Sequence, residues 1–254
     1  MSVQIELFEP SFKADLEHLE FLPEGLESIE SDLYPDLESI SFEDVAEIEA
    51  YFEATKRPRP RYRRSFQQML NALGEFESGK KTGDPNQYKV ENTLGFMGKY
   101  QFGEALLIDL GYYKANVYYS KGANKNYWRG TWTGKKGIRS KAQFLNSRRV
   151  QEFAIREAFA LNFQRIKNTL EQQGKSINNF LGKRRTYRDR GKSRTIKITL
   201  SGILAGAHLR GAGGVAQLLL NNKVSHDEYG TSILKYIHKY GGYRVTLRGF
   251  LRRR

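Results

Sequence analysis

The chain has no cysteine among its 254 residues, which excludes disulfide bonds and cysteine-ligated metal sites. No stretch approaches the roughly 18 consecutive apolar residues that a membrane span requires, so we expect no transmembrane segment. The first ten residues have neither a basic start nor an apolar core, which predicts that there is no ordinary secretory signal. Synthesis in the cytoplasm is therefore expected.

Acidic residues are scarce after the first fifth of the chain. Residues 1–53 contain sixteen Asp or Glu and a single Lys, a formal charge of −15, whereas residues 54–254 carry +29. Pro10, Pro23 and Pro35 interrupt any long helix in the acidic segment. Such acidic blocks are commonly solvated tails. The regularly spaced Leu, Ile and Phe residues of this acidic segment favour instead an arm that docks on the basic domain or on a partner protein.

The charge pattern and the prolines divide the chain into segments. We predict an acidic, largely irregular N-terminal arm over 1–54, a basic, proline-rich linker over 55–64 and one large domain over 65–243. A cationic insertion over 183–197 interrupts that domain, and a basic tail over 244–254 follows it. A domain this basic should be held on anionic polymers by its electrostatic field.

A helical pattern begins after Ser65, which can cap it. Its apolar residues recur at helical spacing, at Phe66, Met69, Leu70, Leu73 and Phe76. At about 100° per residue, Glu77 falls within roughly 20° of Phe66 on the buried side, whereas Glu75 points the opposite way. A carboxyl group against apolar walls has a raised pKa, which suits a general acid at neutral pH.

The rest of the domain also shows helical signals. Further helices are predicted over 103–110, 146–173, 199–209, 213–220 and 232–240. Alternation with a period of two residues is nearly absent, so the predicted fold class is mainly α. The aromatic-rich segment 112–132 has two interpretations, a surface that stacks sugars or bases and a loop whose rings pack over the core.

Four sequence blocks, in order, resemble the motifs of lysozyme-like lytic transglycosylases and of resuscitation-promoting-factor domains. The first contains Glu77-Ser78-Gly79, followed by Asn92, Gly95, Gly98 and Tyr100-Gln101-Phe102-Gly103. The later blocks are Phe144-Leu145-Asn146 with Gln151-Glu152, then 201–208 with Gly211 and Gly213-Gly214, and finally Gly230-Thr231-Ser232-Ile233. The resemblance covers roughly residues 65–243 and implies a lysozyme-like domain.

The resemblance implies cleavage of peptidoglycan between N-acetylmuramic acid and N-acetylglucosamine, with Glu77 as the only catalytic carboxylate. It implies saccharide contacts by residues of the same motifs, and it implies neither a cofactor nor a metal. The matching positions are Ser78, Asn92, Tyr100, Gln101 and His208. The partner would be peptidoglycan or another anionic polymer, and the protein would act at the cell wall or within a particle if exported.

A hydrolytic enzyme of this kind typically needs a second carboxylate about 5–9.5 Å from the first. Near the motif only Asp84 and Glu91 are candidates, and Asp84 before Pro85 is also a favoured turn residue. One-carboxylate chemistry is therefore the simpler interpretation. Two other functions remain open, a non-catalytic structural or binding module with the same fold, such as a component of a phage or injection particle, and a basic nucleic-acid-binding domain.

Overall fold

The computed structural model describes residues 64–115, 125–227 and 229–246. The predicted arm over 1–54 lies outside these residues, as do all but one residue of the linker and most of the basic tail. Tyr118 and Tyr119 of the aromatic-rich segment also lie outside them.

The described residues are mainly helical. Their α-helices are α1 (Phe66–Ser78), α2 (Glu104–Asp109), α3 (Lys141–Asn146), α4 (Arg148–Gln172), α5 (Leu200–Asn221) and α6 (Ile233–Tyr240). Their strands are β1 (Arg64–Ser65), β2 (Tyr113–Lys114), β3 (Thr131–Trp132), β4 (Arg184–Asp189), β5 (Lys192–Lys197) and β6 (Tyr243–Arg244). The strands form three separate pairs, β1 with β6 in parallel, and β2 with β3 and β4 with β5 antiparallel.

Helix α1 begins with the cap that the sequence predicts. The Ser65 hydroxyl accepts a hydrogen bond from the Gln68 amide, and the Gln68 side chain accepts one from the Ser65 amide, so both form a capping box. The helix ends at Gly79, whose φ of 65° is a left-handed conformation that glycine adopts without steric cost. It therefore continues through Glu77 and Ser78.

Helix α5 packs between α4 and α6 at the centre of the molecule. A methyl group on Gly202 would lie 2.6 Å from the Ile237 carbonyl oxygen of α6, so glycine is required for this close approach. The two helices predicted over 199–209 and 213–220 are one element with a break at Arg210 and Gly211, where the backbone is not helical. The break changes the helix direction without a separate loop.

Among the described residues, α5 alone is long and apolar enough to cross a membrane, and 78% of its apolar window is buried inside the fold. Helices in the centre of water-soluble domains have the same length and composition, so this feature is weak as an indication of a membrane span.

The basic segment 183–197 is a β-hairpin, which the sequence analysis did not predict. Strands β4 and β5 pair in register from Arg184 with Lys197 to Asp189 with Lys192. Arg190 and Gly191, at φ values of 48° and 79°, form the two-residue turn, and positive φ at both positions suits the right-handed twist of a hairpin. The many cations conceal the period-two pattern of buried Tyr187, Asp189 and Ile196.

The described part of the aromatic-rich segment packs over the core. Trp128 and Trp132 stack with their ring centroids 5.9 Å apart, and the edge of Tyr113 contacts both. Trp132 also contacts the buried Phe144 of α3, with centroids 5.5 Å apart. The core-covering interpretation therefore holds for these rings, while Tyr127 is 45% exposed.

Candidate active site

Glu77 lies in the last turn of α1 with only 2% of its surface exposed. Its position follows from the helical stripe, because it shares the face that carries Met69, Leu70 and Leu73 into the core. Glu75 lies on another face and accepts a hydrogen bond of 2.8 Å from the Thr82 amide. That bond lowers the pKa of Glu75, so this carboxylate is ionised at neutral pH.

The partner of Glu77 is Tyr236 of α6, whose hydroxyl donates a hydrogen bond of 2.8 Å to Oε1. Tyr236 is itself buried, and its ring meets Phe76 edge to face at 5.5 Å. Burial raises the pKa of Glu77 to about 8, although the Tyr236 bond and the charge of Lys239 act in the opposite direction. At neutral pH the Glu77 carboxyl group is mostly protonated.

His208 of α5 faces the same carboxyl group, with Nε2 3.5 Å from Glu77 Oε1. The distance would suit an ion pair, but burial lowers the pKa of His208 to about 3, opposed by a hydrogen bond with the Tyr100 backbone. A neutral imidazole therefore lies beside a neutral acid. We favour this state because both groups are almost completely buried, at 1% and 2% exposure.

Gln101 follows Tyr100, whose backbone bonds to His208, and it occupies a strained turn. Its φ is 48°, a left-handed conformation that few residues other than glycine adopt. Its side-chain amide donates a hydrogen bond of 3.0 Å to the Gly98 carbonyl, whereas Oε1 is buried and has no hydrogen-bond partner among the described residues. A buried carbonyl oxygen without a partner is costly, and such an atom is available to a ligand donor.

Three other predicted contact residues hold the surrounding structure instead of meeting Glu77. The Ser78 hydroxyl bonds to the Gly74 carbonyl and to the Lys80 amide, which closes the end of α1. Asn92 Oδ1 accepts from the amides of Leu94 and Phe96 at 3.0 Å and so shapes the glycine-rich turn. The Tyr100 hydroxyl donates to Glu152 of α4 at 2.8 Å.

Glu152, which the resemblance includes only as part of a motif, lies at the centre of a partly buried charged cluster. Lys99, 2% exposed, forms an ion pair with it at 2.7 Å, and Tyr88 and Tyr100 donate to the same oxygen. Burial would raise the pKa of Glu152, but these donors hold it below its ordinary value. The Lys99 chain packs where a Gly74 side chain would lie. The cluster therefore fixes the glycine-rich turn against α1 and α4.

The two carboxylates considered as hydrolytic partners have local roles. Asp84 accepts a hydrogen bond of 2.8 Å from the amide of Asn86, two residues later in the same turn, and Glu91 forms an ion pair with Lys141. Asp227, which the sequence analysis did not select, is the carboxylate whose charge raises the pKa of Glu77. It is 8% exposed and accepts a hydrogen bond from the Thr231 amide. Among the described residues no group of His, Asp and Glu could hold a metal ion.

Helices α1, α5 and α6 thus place a protonated carboxyl group, a neutral imidazole and a phenol within one buried cluster. No family model, curated protein or solved structure matches the chain. The resemblance to lytic transglycosylases therefore depends on the motif residues themselves. Of these, Glu77 and His208 are in direct proximity, and Tyr100 connects to His208 through its backbone.

Proposed function

We propose that this protein is a peptidoglycan-cleaving lytic transglycosylase or muramidase with a lysozyme-like domain, in which Glu77 is the general acid. The proposal is carried by one observation, the buried Glu77 carboxyl group whose pKa is raised to about 8. A general acid works best when its pKa lies near the working pH, and an ordinary glutamate would be ionised there. The choice of peptidoglycan as the substrate comes from the resemblance of the motifs to those of lytic transglycosylases.

One carboxyl group can carry out both proton transfers of the reaction. Glu77 donates its proton to the glycosidic oxygen as the bond from the muramic anomeric carbon to that oxygen breaks. The resulting carboxylate then removes the proton from the muramyl 6-hydroxyl as this oxygen bonds to the same carbon, which closes an anhydro ring. Glu77 ends protonated, and no water is consumed.

The neighbours of Glu77 suit both halves of this cycle. Tyr236 donates to Oε1, and this hydrogen bond strengthens when the carboxylate forms, so it stabilises the intermediate state. Lys239 adds a favourable charge at longer range, as its influence on the pKa of Glu77 indicates. Neutral His208 does not compete for the Glu77 proton because burial keeps its own pKa near 3. Gln101 Oε1 supplies a buried acceptor for a saccharide hydroxyl or amide.

The decisive experiment is mass spectrometry of muropeptides after purified peptidoglycan is incubated with the protein. Wild type should release fragments with anhydro-muramic ends, and Glu77→Gln should lose activity by at least about a hundredfold because an amide cannot donate the proton. Glu75→Gln is the matched control and should retain nearly full activity. Equal losses in both variants would contradict the assignment of Glu77.

The chemical nature of the product ends distinguishes the two forms of the proposal. Fragments with reducing muramic ends alone would show that water, rather than the 6-hydroxyl, attacks the anomeric carbon. Asp227 would then be the first residue to test as the second carboxylate, because its charge already acts on Glu77. An Asp227→Asn variant that kept full hydrolysis would exclude it.

A second candidate function is a saccharide-binding or structural module without catalysis. The 2% exposure of Glu77 favours it, since the substrate must reach the carboxyl group for proton transfer to occur. In that case wild type and Glu77→Gln would bind peptidoglycan equally in a sedimentation assay, and neither would release muropeptides.

A further inference from the structure

The exposed face of the β4–β5 hairpin is strongly cationic. Strand residues alternate between the two faces, and the register places three cross-strand pairs on the outer side. These pairs are Arg184 with Lys197, Thr186 with Thr195, and Arg188 with Ser193, and all six residues are exposed. The outer face therefore presents three cations and three hydroxyl groups, and it has no carboxylate. We call these six residues the hairpin face.

The hairpin is held firmly on the domain by its other side. Tyr187, Asp189 and Ile196 are buried at 1%, 6% and 5% exposure. Arg185 donates to the Leu219 carbonyl and to Asn222 at the end of α5, which fixes the base of the hairpin. A rigid backbone reduces the conformational entropy lost when the hairpin face binds a partner.

The negative charge within the hairpin is already neutralised. Asp189 is its only acidic residue, and it bonds to His226 at 2.8 Å and lies 3.6 Å from Arg194. Among the described residues, Arg184, Arg188 and Lys197 form no ion pair. The segment 183–197 contains eight Lys or Arg against this one Asp. The cations of the hairpin face can therefore form ion pairs with carboxylates from outside the hairpin.

We propose that the hairpin face binds the acidic segment 1–53 of the same chain. That segment carries sixteen carboxylates and one Lys, so its charge is complementary to the hairpin face. Arg184 and Arg188 lie about 13 Å apart along β4, and Arg is well suited to bidentate pairing with carboxylates. The hydroxyls of Thr186 and Thr195, bonded to each other at 2.7 Å, lie between the cations, and the one that accepts in this bond can donate to a further oxygen.

The first described residue lies close enough for this contact. Arg64 of β1 pairs with Tyr243 of β6. Gly241, two residues before Tyr243, lies close to Thr199, two residues after the end of β5, because a methyl group on Gly241 would lie 3.3 Å from the Thr199 hydroxyl. The ten residues 54–63 extend at most about 36 Å, which exceeds the roughly 20 Å length of a six-residue strand. Tethering also gives the segment a millimolar effective concentration at the hairpin face.

Zero-length carbodiimide cross-linking of the full chain tests this contact, because it joins lysine amines to carboxylates in direct proximity. At low salt, peptides from 1–53 should be joined mainly to Lys183, Lys192 and Lys197. The Arg184→Gln and Arg188→Gln double variant should reduce these cross-links about three- to tenfold, and 1 M salt should do the same. The matched control is Lys89→Gln with Lys175→Gln, which removes two exposed cations elsewhere and should leave the cross-links unchanged.

Four results would overturn the proposal. The attraction would be non-specific if the cross-links were as frequent at Lys89, Lys114 and Lys175 as at the lysines of the hairpin. The acidic segment would be assigned to a partner protein if no intramolecular cross-links formed. Cross-links that join two molecules in a mixed isotope experiment would assign the hairpin face to a second copy. If the double variant lost binding to a glycerol-phosphate polymer while the cross-links persisted, the hairpin face would serve that polymer. None of these readouts depends on glycosidase activity.

Discussion

Glu75 and Glu77 lie two residues apart in the last turns of α1, and a rotation of about 200° separates their side chains. One accepts a hydrogen bond from Thr82 near the surface, and the other lies against apolar side chains and Tyr236. Their pKa values move in opposite directions for this reason, down for Glu75 and up to about 8 for Glu77. Position on the helix thus decides which glutamate can act as an acid.

The raised pKa of Glu77 predicts a pH-dependent loss of stability. The folded protein holds a proton on Glu77 up to about pH 8, whereas the unfolded chain releases it near the ordinary value of 4.5. The folded state therefore binds more protons between these values, and the free energy of unfolding falls as the pH rises from about 4.5 to 8. Glu77→Gln removes this dependence. The variant should be more stable than wild type at pH 8.5, by on the order of a few kcal/mol, and about equal at pH 4.

Denaturant unfolding at several pH values measures this difference. Glu75→Gln provides a control of opposite sign, because the lowered pKa of Glu75 stabilises the folded state above its unfolded pKa and the variant loses that contribution. A stability difference between wild type and Glu77→Gln that does not change between pH 4 and pH 8.5 would show that Glu77 titrates normally in the folded protein.

At the scale of elements, the break in α5 is a specific backbone feature. Gly211 has φ 67° and ψ 172°, a conformation that is essentially restricted to glycine. Gly211→Ala should therefore destabilise the fold by about 1–3 kcal/mol, although a methyl group at this position would meet no atom within 4 Å. Thermal or denaturant unfolding measures the change.

Gly213, two residues later, supplies the matched control for this substitution. It lacks a positive φ, and a methyl group there would also meet no atom within 4 Å. Gly213→Ala should be neutral or stabilise α5 by up to about 1 kcal/mol, because alanine loses less backbone entropy in a helix. Similar effects of the two substitutions would mean that the break at Gly211 does not require glycine.

Most helices were predictable because their signals are local, whereas α3 was not predicted. Ser65 caps α1 as the sequence predicts, Ser232 caps α6, and α1 ends at Gly79. The β4–β5 hairpin was not predicted, since its inner face is buried by residues distant in the sequence, in α5, in α6 and at His226, and its outer face is charged on both strands. A two-residue Arg-Gly turn is also a weaker hairpin signal than Asn-Gly or Asp-Gly.

The candidate site was predictable only in part. Helical geometry placed Glu77 inside, and the motif order selected His208, which lies 3.5 Å from it. Tyr236 is separated from Glu77 by 159 positions, and no local pattern identifies a phenol that will meet a carboxyl group across two helices. Asp227 was missed because its influence on Glu77 depends on the packing of the segment before α6.

At the scale of the whole molecule, the distribution of charge dominates. The segment 1–53 carries −15 and the remainder carries +29, so the acidic segment reduces the net charge to +14. An anionic polymer that approaches the basic domain competes with carboxylates that are always present in the same chain. The attraction acts over about a Debye length, roughly 10 Å at 0.1 M salt.

Deletion of residues 1–54 should therefore strengthen binding to anionic polymers, and raise cleavage of cell walls, at low ionic strength. The measurement compares full-length and shortened protein in sedimentation with purified cell walls at 20 mM and 1 M salt, after circular dichroism has shown that both are folded. The difference should narrow at 1 M salt because the Debye length falls to roughly 3 Å. Identical behaviour at low salt would mean that the acidic segment does not compete for the basic domain, which would make a partner protein its target.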